Sequence, residues 1–209
     1  MPIRRRILTL VLATIVALVV AVLPASAGGG NNVVIVANTT DGATLASAST
    51  QVIPVPMDSV TSGNVAIAVN ADCVGCHSSA VAVQILMVVG SPSYFAPGNA
   101  AAAANGGCDS CGAYAYARQH WIQTSSMPHL GGAVHQRIAE LRQEIATTAA
   151  SILPSDAATD PSLTRDHELD AQLNALTNEL IQVVTAGVEA SSGSTSVLLD
   201  RTEETTPGS

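Results

Sequence analysis

The sequence has no lysine, few charges before residue 130 and only five aromatic side chains in 209 residues. All eight basic residues are arginine, against sixteen acidic ones, and the net charge is −8. Such a chain repels nucleic acid and anionic lipid, so neither is an expected partner. Because aromatic residues are so scarce, any core must be built mainly from alanine and valine, which bury little area per residue.

The chain also lacks the common catalytic motifs. It has no G-x-S-x-G, no phosphate-binding glycine loop and no paired carboxylates in an apolar setting. We therefore expect a protein without enzymatic activity and without a cofactor.

The N-terminal segment, MPIRRRILTLVLATIVALVVAVLPASA, has the three regions of a secretory signal peptide. Three arginines precede an apolar run over residues 7–23, and Ala25-Ser26-Ala27 forms a small-x-small cleavage site. We expect cleavage after Ala27, a secreted or extracytoplasmic protein, and no membrane association once residues 1–27 are removed. The alternative is an uncleaved anchor, because the apolar run is near the lower limit for a membrane span.

Residues 28–130 contain an internal repeat. GNVAIAVNADCVGCHSSAVAVQ (63–84) matches GNAAAAANGGCDSCGAYAYARQ (98–119) at an offset of 35 residues. NNVVIVANTTDGATLASASTQ (31–51) is a degenerate first unit, which has Thr-Thr-Asp-Gly in place of the cysteine turn and needs a one-residue shift to align fully.

Each unit is predicted to be a β-hairpin, since apolar residues alternate on both sides of the cysteine turn. One face of each strand keeps the same small and amide side chains in both units, which indicates close contact between sheets on that face. In the second unit the run AAAAA (100–104) also suits a helix, so strand and helix stay open there.

Four uses are open to Cys73, Cys76, Cys108 and Cys111. Cys73-x-x-Cys76-His77 has the pattern that attaches a c-type haem, which would make the protein a small electron carrier. The repeat aligns Gly112 with His77, however, so the histidine is not part of the shared unit. Two C-x-x-C pairs also suit a zinc site, and a single pair suits thiol–disulfide exchange.

Structural disulfides are favoured, because export places the chain in an oxidising space. The preferred connectivity is Cys73–Cys76 and Cys108–Cys111, since a two-residue turn brings its flanking Cα atoms close enough for a bridge. The crossed connectivities, which would link one unit to the other, stay open.

The C-terminal third, residues 131–190, is predicted to form an antiparallel helical hairpin. Apolar residues recur at steps of three and four from Val134 and again from Leu169, and Asp160-Pro161 suits the start of the second helix. Residues 191–209 are predicted to be a disordered tail. The expected fold class is thus α+β: cysteine-stapled β-hairpin repeats followed by a helical hairpin.

One strand gathers most of the side chains that are common in protein interfaces. It forms a candidate contact surface for an unknown protein partner, or for self-association, and consists of Tyr114, Tyr116, Arg118, His120 and Trp121.

The duplicated N-x-A-x-A-x-N-x-x-C-x-x-C, followed by A-x-A-x-Q and the helix-like RIAELRQEI, resembles a group of bacterial exported segments of unknown activity. These segments occur alone or at the C-terminus of larger proteins that are often labelled peptide zinc metalloproteases. The resemblance covers about residues 30–185. It carries over no catalytic residue, because the protease part is absent here, and it implies that the position of His77 is not reserved for histidine.

Overall fold

The computed structural model describes residues 30–56, 58–151, 162–192 and 195–205. The described residues form nine strands and two helices. In chain order these are β1 (Asn32–Asn38), β2 (Thr44–Val55), β3 (Ser59–Val60), β4 (Gly63–Ala71), β5 (His77–Val89), β6 (Tyr94–Phe95), β7 (Gly98–Gly106), β8 (Gly112–Thr124), α1 (Gly132–Ala150), α2 (Ser162–Ser192) and β9 (Thr195–Thr205).

The strands form three sheets in which successive turns of the chain stack on one another. Sheet 1 has the order β1-β4-β7, sheet 2 the order β2-β5-β8-β9, and sheet 3 pairs β3 with β6. All pairs are parallel except β8 with β9. The chain therefore winds as a β-solenoid of three coils, each of which runs along sheet 1 and returns along sheet 2.

The prediction of β-hairpin repeats is wrong. The strands lie where the alternation places them, but β4 and β5 belong to different sheets and do not pair with each other. Instead β4 pairs with β7, which sets Asn64 opposite Asn99, and β5 pairs with β8. The run at 100–104 is part of strand β7 and is not helical.

The interior of the coils is built from alanine, as the shortage of large side chains requires. The face that keeps the same side chains in both units points inward, so that the small residues of sheet 1 contact those of sheet 2. This cluster comprises Val34, Val36, Ala66, Ala68, Ala80, Ala82, Ala113, Ala115 and Ala117, with Ala101 and Ala103 at its margin. Small side chains allow the two sheets to approach closely without leaving voids.

Ladders of identical amide side chains run through the interior along the solenoid axis. Asn32 Nδ2 donates to Asn64 Oδ1 at 2.8 Å, and Asn64 Nδ2 donates to Asn99 Oδ1 at 2.7 Å. A second ladder runs the opposite way, from Gln119 Nε2 to Gln84 Oε1 at 2.7 Å. Only parallel, in-register stacking places identical residues next to each other in this way.

The outer face of sheet 2 is covered by both helices. The resulting core contains Val81, Val83, Ile85, Met87, Tyr114, Tyr116 and Ile122 of sheet 2, Ile138, Leu141, Ile145 and Ala149 of α1, and Leu169, Leu173, Leu180, Val184 and Val188 of α2. The apolar side chains of the two helices are thus buried against sheet 2 as well as against the other helix.

The predicted antiparallel helical hairpin is therefore wrong as a description of residues 131–190. α1 has 19 residues and α2 has 31, and both pack on sheet 2 as well as on each other. The predicted start of the second helix at Asp160-Pro161 lies outside the described residues.

Residues 195–205 differ from the predicted disordered tail, since β9 pairs antiparallel with β8. Residues 1–29, which include the predicted cleavage site, lie outside the described residues. In the part of the chain that is described, neither helix is long and apolar enough to cross a bilayer.

Candidate functional site

The four cysteines lie at one corner of the solenoid, where the chain passes from sheet 1 to sheet 2. Cys73 and Cys76 occupy the turn between β4 and β5, and Cys108 and Cys111 the turn between β7 and β8. The two turns stack in register, as the bridge between Val74 and Asp109 shows. The repeat offset of 35 residues therefore becomes spatial adjacency.

The two turns share one backbone conformation. Asp72 and Gly75 have φ angles of 51° and 63°, and the equivalent Gly107 and Ser110 have φ angles of 63° and 57°. Two left-handed residues per turn direct the chain around the interior, whereas a two-residue hairpin would send it back along the same sheet. The turns are tied by a hydrogen bond of 2.8 Å from Gly75 N to Asp109 O.

The first coil has the same corner without cysteine. Gly42 has a φ of 66°, and its N–H donates to Val74 O at 2.9 Å. Asp41 Oδ1 accepts a hydrogen bond of 2.8 Å from Val74 N. Thr-Thr-Asp-Gly of the degenerate unit thus forms the same turn as the cysteine segments of the later coils. Here a hydrogen bond to the side chain of Asp41 takes the place of a cysteine pair.

The cysteines form two pairs at disulfide distance, Cys73 with Cys76 and Cys108 with Cys111. The Cα atoms are 6.1 Å apart in the first pair and 6.0 Å in the second. Cys73 and Cys76 are buried, and Cys108 and Cys111 are half-buried. This connectivity is the one preferred from the sequence.

The two pairs also lie against each other, and all four Sγ atoms are within 4.8 Å of one another. Cys76 Sγ is 3.1 Å from Cys111 Sγ and 3.3 Å from Cys108 Sγ. Cys73 Sγ is 3.7 Å from Cys108 Sγ. Four thiol sulfurs at this spacing could hold a metal ion.

His77 begins β5 directly after the corner and lies opposite Gly112. It is 3% exposed, and burial lowers the pKa of its imidazole. A Cβ atom at Gly112 would be 2.8 Å from His77 Nδ1, so the imidazole occupies the space that the glycine leaves. A porphyrin bound to His77 would have to displace the neighbouring coil, so this geometry does not favour the haem interpretation.

The residues of the candidate contact surface predicted on β8 are all buried. Tyr114, Tyr116, Arg118, His120 and Trp121 are all at most 7% exposed. The hydroxyl of Tyr114 donates to Asp170 Oδ1 at 2.5 Å and that of Tyr116 to Asn174 Oδ1 at 3.0 Å. These polar tips attach α2 to sheet 2 and are therefore not available to a partner.

Trp121 points to the inner side of the same sheet. Its ring meets that of Phe95 edge-on, with centroids 5.5 Å apart. Together with Val55, Val60, Leu86 and Val88 it closes the end of the interior next to sheet 3.

One candidate surface was missed from the sequence: the end of the solenoid formed by β1 and β2, which we call the open end. β1 and β2 are the outermost strands of their sheets, and no described strand pairs with their outer edges. Val33, Ile35 and Leu45 are exposed there. Asn32 Oδ1, at the start of the ladder, is buried without a hydrogen-bond partner. The available signal was the degenerate first unit, because terminal repeats of a solenoid differ from internal ones.

No protein-family model, curated protein or solved structure matches the chain.

Proposed function

We propose that the protein is a non-catalytic structural module that acts outside the cytoplasm, and that it associates with a second copy of itself through its first coil. The observation that carries the proposal is the pair of outermost strands, β1 and β2, at the same end of the solenoid. An edge strand presents a row of unpaired N–H and C=O groups, which another strand can satisfy.

The edge carries little protection against pairing. Soluble proteins commonly block exposed edges with lysine, proline or bulges. The sequence of β1, NVVIVAN, has no charge and no proline, and β2 has a single proline, Pro54, near its end. Exposed Val33 and Ile35 lie on the outward face of β1, so a strand added there would also bury apolar area.

Symmetry makes a second copy the favoured occupant. A twofold axis that runs from sheet 1 to sheet 2 across the open end places each β1 antiparallel to the other β1. The same axis places each β2 antiparallel to the other β2, so both edges are satisfied by one operation. Such an isologous interface is the commonest kind in homodimers.

A structural role is supported by what the buried polar groups do. Asn64, Gln84 and Gln119 bond to other amides of the ladders and to backbone carbonyls. Their hydrogen-bonding capacity is thus used to hold the coils together.

A location outside the cytoplasm is supported by the signal-peptide pattern of residues 1–27 and by the two cysteine pairs at disulfide distance. The intact mass of the exported protein tests this directly. The expected mass lacks residues 1–27 and four cysteine hydrogens. A full-length mass, or four thiols that react with an alkylating agent without reductant, would contradict it.

Self-association is tested by light scattering during size-exclusion chromatography over a range of concentrations. The parent protein is expected to be a dimer, and Ile35→Lys a monomer, because a charge at the centre of β1 blocks edge pairing. Tyr94→Lys is the matched control: Tyr94 is 57% exposed, as against 55% for Ile35, but lies in sheet 3, away from the open edge. A monomeric parent, or a dimeric Ile35→Lys protein with unchanged circular dichroism, would overturn the proposal.

A further inference from the structure

The cysteine corner goes beyond the proposed function, because its sulfur atoms converge more closely than two independent staples require. Either C-x-x-C pair alone would close its own turn. Because the coils stack, the two pairs also lie next to each other, with all four Sγ atoms within 4.8 Å. Cys73 of the second coil faces Cys108 of the third, and Cys76 faces Cys111.

We propose that the four cysteines, when reduced, form a tetrahedral four-thiolate site for one zinc ion. Zinc–sulfur bonds of about 2.3 Å in a tetrahedron place the sulfur atoms about 3.8 Å apart. Three of the four distances between the pairs approach this value: 3.1 Å for Cys76–Cys111, 3.3 Å for Cys76–Cys108 and 3.7 Å for Cys73–Cys108. The fourth is within 4.8 Å. Each pair can open to the same spacing by side-chain rotation, because its Cα atoms are about 6 Å apart.

The backbone holds the ligands in place independently of the sulfur atoms. Hydrogen bonds of 3.1 Å from Gly112 N to Cys76 O and 3.3 Å from Asp109 N to Cys73 O join the two turns. The left-handed residues Gly75 and Ser110 give both turns the same course. The site is thus preorganised by the stacking of the coils, and the metal does not have to assemble it from separate loops.

The disulfide and zinc forms are alternative states of the same four atoms. A phosphine reductant converts each disulfide to two thiols: the phosphine becomes a phosphine oxide with oxygen from water, two electrons break the S–S bond, and the two protons of the water go to the sulfurs. Binding of Zn²⁺ by the four thiols then releases four protons as the thiolates form. A small-molecule disulfide reverses the change by thiol–disulfide exchange: two molecules of it take four electrons from the four thiolates and leave as four thiolates. The zinc ion is then released, because the sulfurs of the two new protein disulfides carry no negative charge.

The test uses the whole purified protein, treated anaerobically with a phosphine and a chelator, freed of both, and titrated with Zn²⁺ or with Co²⁺ as a coloured probe. Native mass spectrometry is expected to show one zinc per reduced chain, and Co²⁺ to give the intense visible bands of a tetrahedral thiolate site. The disulfide form is expected to bind neither. Equal binding by the disulfide form, or no binding by a reduced chain that keeps its β-sheet circular dichroism, would overturn the proposal.

Variants separate the four-thiolate site from other arrangements. The double variant Cys108→Ser/Cys111→Ser retains one pair. In the titration it is no longer expected to bind one metal ion per chain. His77→Gly, which copies the residue at Gly112, is the control and is expected to keep both the stoichiometry and the cobalt spectrum. Loss of binding by His77→Gly would show that the histidine is a ligand and would overturn the four-cysteine assignment. If reduction unfolds the chain, zinc must restore the sheet signal, since metal binding then drives folding. Failure to restore it would equally overturn the proposal.

Discussion

Asn64 lies at the centre of the ladder that connects the three coils. Its Nδ2 contacts Ala82 O at 3.0 Å, Asn99 Oδ1 at 2.7 Å and Arg118 O at 3.1 Å, and its Oδ1 accepts from Asn32. It is fully buried, so its loss would remove one hydrogen bond from each of these four groups at once. At the scale of the residue, the fold depends on amide side chains that form hydrogen bonds with both sheets at once.

Replacement of this amide is therefore expected to be costly. Asn64→Ala should lower the free energy of unfolding by about 3 kcal/mol, because four interior hydrogen bonds are lost together and a cavity remains. Asn99→Ala, at the half-buried end of the ladder, should cost about 1 kcal/mol, since Asn64 keeps its two carbonyl partners. Denaturant unfolding with the disulfides intact measures both, and equal costs would contradict the role given to the ladder.

The contact between His77 and Gly112 gives a second prediction at this scale. A methyl group at Gly112 would lie 2.8 Å from His77 Nδ1. Gly112→Ala should therefore cost about 1–3 kcal/mol in the parent and less than about 0.5 kcal/mol in a His77→Ala background. A double-mutant cycle measures the coupling, and the same cost in both backgrounds would show that the two coils are not in register here.

At the scale of the element, alternation and helical periodicity predicted where strands and helices lie but not how they pair. The alternating runs on both sides of the first cysteine turn were predicted as strands and lie in β4 and β5. Alternation determines which side chains share a face, and a hairpin and a solenoid corner satisfy it equally. The pairing depends on the left-handed residues at Asp72 and Ser110, which are not glycine and gave no signal.

The identical amides were the stronger clue to the pairing. A face that keeps asparagine and glutamine in both units was correctly interpreted as a face in close contact between sheets. Parallel stacking brings each amide next to its own counterpart, whereas a hairpin within one unit would not. The burial of Tyr114 and Arg118 could not be foreseen, because it depends on α2 crossing β8.

The docking of α2 on sheet 2 gives a prediction for this element. Leu180→Ala removes a fully buried side chain from the shared core and should cost about 2–5 kcal/mol. The control Gln172→Ala changes an exposed residue on the same helix and should stay within about 0.5 kcal/mol of the parent. Thermal or denaturant unfolding compares them. Similar stabilities would mean that α2 does not pack on the sheet as described.

At the scale of the whole molecule, hydrogen bonds and apolar packing between coils hold the solenoid together, and each cysteine pair closes one local turn. A disulfide with a sequence separation of three residues restricts the unfolded chain little, by about 2 kcal/mol per pair in the chain-entropy model. The metal-free reduced protein is thus expected to keep its sheet signal while its free energy of unfolding falls by about 4 kcal/mol. Circular dichroism during denaturant titration, with and without a phosphine, measures this, and loss of the sheet on reduction alone would contradict it.

The account as a whole depends on parallel stacking of the two cysteine units, and nuclear Overhauser effects between backbone protons test it most directly. The predicted result is a series of parallel contacts 35 residues apart, from Asn64 to Asn99 along sheet 1 and from Ala82 to Ala117 along sheet 2. Antiparallel contacts between residues 64–70 and 80–85 across the Cys73–Cys76 turn would instead establish a hairpin and contradict the solenoid, the amide ladders and the four-cysteine corner together.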